Sequence, residues 1–528
     1  MTSPQLHLFL DRARGIVGEA HVYASDDERL DTLRDRFGAY YETEHEPRPG
    51  GAVRPASTEE VQAIVRLANE TGVALWTSSR GRNFGYGGPA PVRRGDVALD
   101  LQRMNRILEI DEKRAYAVVE PGVATGELLA EIERRGLKLW PGTTSSPYSS
   151  IIGNALERGI GYDIMSERFE SLCGLEVVLA DGTLVRTGSG SMDGSTVWHE
   201  NKYGYGPIVD GLFSQSNFGI VTKAGFWLSP EPAAFRHSEL YLEDFSRMAE
   251  FMDILGDLRR RRILENGVSS GPDFPASAPG DVPPPHDAAP AGPPPQRLRS
   301  RLGWHGPRSV IDAKWEATLA ALQGIDGLTY DTAVYEAPYD YTMWNANARM
   351  AAGLPTDLEE PDWENAHYGL FIAPVIPNIG EAYVEVWNLI NEVFERHGRV
   401  GGMPPGFHMH SARSLVVIPP VPLKGMPMLP NRGADIDNAV SVALVSDLIH
   451  ECAQRGWTEY RAGTLFMDQV LAEQDFAGGT RAELYERIKN ALDPNGILSP
   501  GKSGIWGSAT RPASAAPGVR FGVARSED

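Results

Sequence analysis

The stretch from Trp76 to Gly88, W-T-S-S-R-G-R-N-F-G-Y-G-G, sets four glycines among serine, arginine and asparagine donors. Glycine lets backbone N–H groups turn towards a phosphate and approach it closely. Around Gly81 and Gly85, the side chains of Ser78, Ser79, Arg80, Arg82 and Asn83 add further donors. That chemistry suits the pyrophosphate of a dinucleotide. The spacing is neither the G-x-G-x-x-G that opens a Rossmann helix nor a P-loop, and a glycine-rich surface turn is the plain alternative. Two other groups of reactive residues read differently. His408 and His410 stand in F-H-M-H-S-A-R; an H-x-H spacing invites a metal, but no third and fourth ligand accompanies it, so no metal site is predicted. The two cysteines, Cys173 and Cys452, belong to no C-x-x-C pattern and read as free thiols of a reducing compartment.

Further segments follow in a fixed order. Lys138–Arg158 reads K-L-W-P-G-T-T-S-S-P-Y-S-S-I-I-G-N-A-L-E-R and runs into Gly159-Ile-Gly-Tyr162. Leu172–Thr187 is L-C-G-L-E-V-V-L-A-D-G-T-L-V-R-T, two strand signals around an Asp-Gly turn. Phe213–Lys223 gives F-S-Q-S-N-F-G-I-V-T-K. Trp363–Pro374 gives W-E-N-A-H-Y-G-L-F-I-A-P. Glu459–Gly463 is E-Y-R-A-G, and Leu492–Trp506 closes with L-D-P-N-G-I-L-S-P-G-K-S-G-I-W. Together these resemble the vanillyl-alcohol oxidase and p-cresol methylhydroxylase flavoproteins. The resemblance is dense over residues 50–230, thin over 235–360, and returns at 363–373 and 450–506.

The resemblance implies an α+β fold of two domains around FAD. An FAD-binding domain would use 1–232 and 459–528, and a cap domain over the flavin ring would use 233–458, built on an antiparallel sheet covered by helices. It places Tyr86, Tyr460 and Arg461 around the oxygen of a para-substituted phenol, held as its phenolate. It makes His367 the covalent link to the flavin, and gives Gly153, Asn154, Gly159 and Gly161 the adenosine diphosphate. Gly219, Ile220 and Val221 would meet adenine or ribitol, and Lys502 flavin or phosphate oxygens. His408 and His410 are lesser candidates for the same neighbourhood. The main departure is Ser145, which stands where relatives that oxidise alkylphenols carry an aspartate. A serine is neither acid nor base near neutral pH, so the hydration of a quinone methide is the step it puts in question. Glu157 is no obvious substitute. The acceptor implied is O₂, with a cytochrome c partner as the alternative, and the assembly implied is a homodimer or dimer of dimers.

The elements that must position these residues are legible in part. Ser57–Thr71 carries an N-cap candidate and apolar residues Val61, Ile64, Val65 and Ala68 at helical spacing. Gly72–Trp76, Asp96–Leu101 and Ala115–Val119 read as strands, and Gly126–Arg135 as a helix starting near Thr125. Helices are predicted over Phe245–Arg259, Ser309–Leu322, Glu381–Arg396 and Ala439–Arg455, with extended pieces at Tyr368–Val375 and Leu415–Ile418. Gly271–Pro295, dense in proline and glycine, is predicted to hold no single conformation, and Arg259–Arg262 to be a solvated helix end. At 528 residues with 42% hydrophobic and 23% charged content, the chain exceeds one ordinary domain. A net charge of −20 argues against nucleic acid and anionic membrane surfaces. With no signal peptide and no run near the ~20 apolar residues of a membrane span, a cytoplasmic enzyme is expected.

Overall fold

The computed structural model describes residues 4–35, 38–41, 43–83, 85–144, 146–273, 297–356, 369–399, 402–421, 423 and 437–512. The expected helix forms over Thr58–Thr71. Ser57 caps it, its Oγ accepting from the Glu60 N–H, and Gly72 ends it at φ 68°, a left-handed cap that glycine takes without strain. Its buried stripe of Val61, Ile64, Val65, Leu67 and Ala68 is the one the spacing predicts. Because Gly72 serves as the cap, the following strand begins later than predicted, at Leu75–Ser78. That strand lies parallel to Val97–Asp100, which lies parallel to Gly51–Val53, with Val22–Tyr23 antiparallel at the edge.

A second, five-stranded antiparallel sheet has the order Ile107–Asp111, Tyr116–Val119, Ile220–Trp227, Leu172–Val178, Leu184–Arg186. The Leu172–Val178 strand is buried at every position, Glu176 included, whose carboxylate is met by Arg186 and Lys223. The Asp181-Gly182 turn joins it to Leu184–Arg186, and Gly182 supplies the positive φ.

The third sheet has eight antiparallel strands, ordered Thr329–Glu336, Ala234–Leu242, Leu298–Gly306, Val268–Pro272, Gly406–Met409, Ser414–Ile418, Pro374–Pro377, Thr458–Glu459. Helices Met248–Arg260, Arg308–Leu322, Gly380–Arg396 and Asn438–Gln454 contribute Phe251, Leu255, Ile311, Tyr383, Val386 and Leu448 to one large core. The sheet contributes Leu240, Leu302, Phe407 and Val417 to that core. Alternation then turns Glu239, Arg301, His408 and Val416 to the opposite face. This is the predicted antiparallel sheet covered by helices.

Three expectations are corrected. Gly271 and Pro272 are not loose: they pair with Arg299 and Leu298 in the eight-stranded sheet, while the rest of the predicted insertion, from 274, lies outside the described residues. Arg259 is not a solvated helix end. It is 7% exposed and donates to the carbonyls of Leu264, Glu265, Asn266 and His410. Tyr368–Val375 is not one extended piece: Leu370–Phe371 pairs with Pro420–Val421, and Pro374–Pro377 joins the large sheet; Tyr368 lies outside the described residues.

The C-terminal segment returns to the first sheet. The Leu75 N–H donates to Ile497 O at 2.7 Å, Ser499 N–H donates to Leu75 O at 2.7 Å, and Thr77 N–H donates to Ser499 Oγ at 3.1 Å. Lys489, fully buried, fixes this return: its Nζ meets Asp493 Oδ2 at 2.7 Å and donates to Leu498 O and Asn217 O. Both free cysteines are buried. No described helix is long and apolar enough to cross a membrane.

Candidate active site

The Leu75–Ser78 strand delivers the glycine loop to the rim of a cleft of about 1300 Å³, its open mouth included. Ser78, Ser79, Arg80, Gly81, Arg82 and Asn83 line one wall. Gly153 and Asn154 line a second, Gly219, Ile220 and Val221 a third, and Ser499 and Lys502 a fourth. Segments far apart in sequence are thus gathered as expected. A side chain at Gly153 would collide with Ser79 Oγ, 2.2 Å from an ideal Cβ, so the loop and the Ile151–Leu156 helix meet only because this residue is glycine.

Three predicted glycines do not line the cleft. Gly85 makes room for Phe371, whose Cδ2 lies 1.9 Å from the ideal Cβ, Gly159 for the Asn154 amide, and Gly161 for the Arg168 guanidinium. Their service is to the packing of neighbouring side chains. Ser145 and His367 lie outside the described residues. Lys502 lines the cleft while its Nζ holds Glu157 Oε1 at 2.5 Å. Arg80 directs Nη1 to Gly122 O at 3.0 Å.

Tyr86 and Arg461 line the cleft, and Tyr460, which lines an adjoining cavity that shares Arg461, comes together with them. The Arg461 Cζ lies 5.6 Å from the Tyr86 ring centroid and 5.0 Å from that of Tyr460. Arg461 is aimed by two bonds, Nε to Glu157 O at 2.7 Å and Nη1 to Asn83 Oδ1 at 3.2 Å, which leaves Nη2 buried without a partner among the described residues. The Tyr86 hydroxyl is likewise buried and unpartnered. Tyr460 differs: its hydroxyl donates to Arg158 O. Behind them Ala373, Val375, Val416 and Phe371 form an apolar backing. Burial pushes both tyrosines above the ordinary phenol range, against the pull of Arg461.

Two functional candidates, Glu459 and Asn217, escaped the sequence reading, and Glu157, set aside there as a substitute acid, is a half-buried carboxyl at Lys502. Burial opposes its charge, but Lys502 and Arg461 outweigh that and hold it below the usual carboxylate range. Glu459, beside Tyr460 in sequence, is pushed up to about 8 by burial; its Oε2 accepts from the Ala373 N–H and its Oε1 is buried with no partner among the described residues. Asn217 lines the cleft and donates to Ser499 O and Ile505 O. Charge type alone flags none of these, because their burial arises from segments hundreds of residues apart. His408 stands 5.5 Å from the Tyr162 ring, and His410 6.3 Å from that of Tyr460. No cluster of three potential metal-binding side chains occurs among the described residues.

The residues present fit an FAD: glycine-spaced walls, and buried polar atoms with no partner among the described residues at Asn154 Oδ1, Asn217 Oδ1 and Thr77 Oγ1. The fold and this cleft define an FAD-dependent oxidoreductase, and residues 49–188 match the FAD binding domain family. The flavoprotein subunit of 4-cresol dehydrogenase [hydroxylating] from Pseudomonas putida is 32% identical over 477 residues, 87% of this chain and 88% of the relative. The 4-ethylphenol oxidase of Gulosibacter chungangensis, solved with isoeugenol, superposes with a TM-score of 0.83 at 31% identity, covering 97% of this chain and 99% of that one. The 1'-carboxy-chondrochloren decarboxylase of Chondromyces crocatus is 29% identical over 552 residues, 95% of this chain and 98% of the relative. The chain belongs to the vanillyl-alcohol oxidase and p-cresol methylhydroxylase family.

Proposed function

We propose that the protein oxidises para-substituted phenols, either 4-alkylphenols or 4-hydroxybenzyl alcohols, at the benzylic carbon, by way of a p-quinone methide and with O₂ as final acceptor. The observation that carries this reading is a pair of buried donors with no partner among the described residues, the Tyr86 hydroxyl and Arg461 Nη2, both at the cleft, with the guanidinium 5.6 Å from the Tyr86 ring centroid. An orphaned buried donor costs about 1–3 kcal/mol, and one phenolate oxygen satisfies both. The Arg461 charge favours the phenolate over the phenol. The anion's electron-rich ring then stabilises positive charge at the benzylic carbon as hydride leaves it. FAD, when bound, supplies the hydride acceptor. Tyr460, its hydroxyl held by Arg158 O, contributes ring packing, and its hydrogen bond must be exchanged before it can serve the phenolate.

Ser145 brings no carboxylate to manage the proton of an added water, and Glu157 is tied to Lys502. General acid–base help is commonly worth ~100- to 10,000-fold, so hydration is slowed and proton loss to an alkene competes with it. To this reading belong the division into 1–232 with 459–528 and 233–458, the covalent flavin link at His367, and a homodimer or dimer of dimers in the cytoplasm. Anaerobic mixing tests the substrate class: a 4-alkylphenol or 4-hydroxybenzyl alcohol is expected to bleach the bound flavin, and failure of both refutes it.

A second acceptor is a cytochrome c partner, favoured by the relative named as a flavoprotein subunit. One H₂O₂ released per substrate under air supports the oxidase; negligible H₂O₂ with flavin that stays reduced supports the partner. A larger phenolic metabolite as substrate is favoured by Ser145 together with the decarboxylase relative. Restored turnover of simple alkylphenols by Ser145→Asp would mark a diverted hydroxylating site.

A further inference from the structure

One lateral row of the eight-stranded sheet carries polar residues that the phenol clamp leaves unused. Pairing sets Glu239 opposite Arg301, Arg301 opposite Ser269, Ser269 opposite His408, His408 opposite Val416, and Val416 opposite Val375. Directly opposed residues project from the same face. Val416 and Val375 share their apolar cluster with Tyr86 and Tyr460. The row therefore starts at the clamp and reaches a guanidinium three strand spacings away, each about 4.8 Å.

That guanidinium is poorly matched. Arg301 Nε donates to Asn347 Oδ1 at 2.9 Å, and Nη1 reaches Ser269 Oγ only at 3.4 Å. Its nearest carboxylate, Glu239, is 3.9 Å away and already accepts from Asn347 Nδ2 and the Tyr241 hydroxyl. Arg299 also leans on Glu239, at 3.8 Å, and on Asp273, which Arg297 takes at 2.6 Å. Three guanidiniums thus share two carboxylates on this wall; Asp331, one strand beyond Glu239, is exposed at the sheet edge. Nη2 of Arg301 makes no hydrogen bond among the described residues. Between Arg301 and the clamp stand Tyr162 and His408; among the described residues His408 Nδ1 is buried without a partner, as is His237 Nε2 near Arg301. His408 is held down at about 4, first by burial and then by the Arg301 charge, so it is neutral near pH 7.

We propose that Arg301 is a specificity-determining residue that binds an anionic carboxylate at the end of the substrate's para side chain, with Tyr162 and His408 lining the path between the two ends. The substrate class is then a phenol whose para substituent is several carbons long and acidic at its terminus. This rests on the phenol-oxidising reading, and the test separates the two. Holoenzyme is titrated anaerobically with 4-pentylphenol and with its ω-carboxylated counterpart, and the half-saturating concentration for flavin reduction is read. The acid is expected to saturate at concentrations at least about tenfold lower, as a charge-assisted bond implies. Arg301→Gln should abolish that preference and shift the neutral phenol less than about twofold; Arg301→Lys, which keeps charge but loses the fork, should retain part of it. Equal saturation of wild type by both phenols, or equal weakening of both by Arg301→Gln, overturns the assignment while leaving phenol oxidation standing. Reduction by neither compound overturns this assignment, and phenol oxidation is then decided by the 4-hydroxybenzyl alcohols and shorter 4-alkylphenols.

Discussion

The Tyr86 hydroxyl is buried beside Arg461 and hydrogen-bonds to nothing among the described residues, so removing it should cost the fold little while removing a bond to the phenolate. Tyr86→Phe is expected to slow anaerobic flavin reduction by about 10- to 150-fold, the worth of a hydrogen bond to a charged group, with an unchanged thermal midpoint. Tyr460→Phe, whose hydroxyl serves Arg158 O, should slow reduction less and destabilise more. The reverse ranking would remove Tyr86 from the phenolate. Glu459 gives a pH signature. Burial raises its folded pKa from 4.5 to about 8, so between those values the folded state binds the extra proton. The stabilisation is complete below about pH 4.5 and is lost as pH rises through about 8. Glu459→Gln, neutral at every pH, should flatten the fall in urea stability between pH 5 and 8 and be the more stable protein at pH 8.5, by a few kcal/mol at about 1.4 per unit. Equal slopes would show that Glu459 is already ionised at pH 5. Residue chemistry was legible where it sat in one short string: Ser78 to Asn83 and Gly153-Asn154 line the cleft as read. It was illegible for Glu459 and Arg301, whose meaning comes from burial and strand register.

Elements were legible where a single helix or hairpin carries its own pattern. Ser57, Val61, Ile64, Val65 and Ala68 write the Thr58–Thr71 helix, though its Gly72 cap was read as the start of the next strand, and Asp181-Gly182 writes its hairpin. The order of the eight-stranded sheet was not, because it joins strands from 234 to 459 through long-range pairings that no local period encodes. The residue that anchors the expected return of the C-terminal segment is the clearest case. No local pattern marks Lys489 of the Phe476–Leu492 helix, yet it is fully buried against Asp493 and the carbonyls of Asn217 and Leu498. Lys489→Met leaves the Asp493 carboxylate buried with only the Ile497 and Leu498 amides, and breaking a buried pair costs about 3–5 kcal/mol. Because Asn217 and Leu498 line the cleft, the same change should weaken FAD retention. A urea midpoint equivalent to less than about 1 kcal/mol of loss would mean that the pair contributes little beyond its desolvation cost.

At the scale of the molecule, the cleft is closed by pieces that touch only in the folded chain: the glycine loop at 77–83, the strand entry at 217–221, the C-terminal Ser499 and Lys502, and Arg461 just after the last strand of the large sheet. A ligand seated there bonds to all of them at once and to none in the unfolded chain, so FAD should act as a stabiliser of the whole. The size of its effect depends on whether the flavin is tethered. A ligand that dissociates stabilises by an amount that grows with its free concentration, about 2.7 kcal/mol at 100 times Kd, and the midpoint of thermal unfolding climbs accordingly. A tethered flavin is always present, and added FAD changes nothing. Wild-type protein, with the proposed link at His367, is therefore expected to stay yellow after acid denaturation and to unfold at a temperature independent of added FAD. His367→Ala should release its flavin into acid, unfold at a lower temperature as the apoprotein, and recover towards the wild-type midpoint as FAD is added. Wild-type protein that surrenders its flavin to acid, and whose unfolding temperature rises with FAD, would place the link elsewhere or nowhere. The cleft would then hold its cofactor by the glycine-rich walls alone.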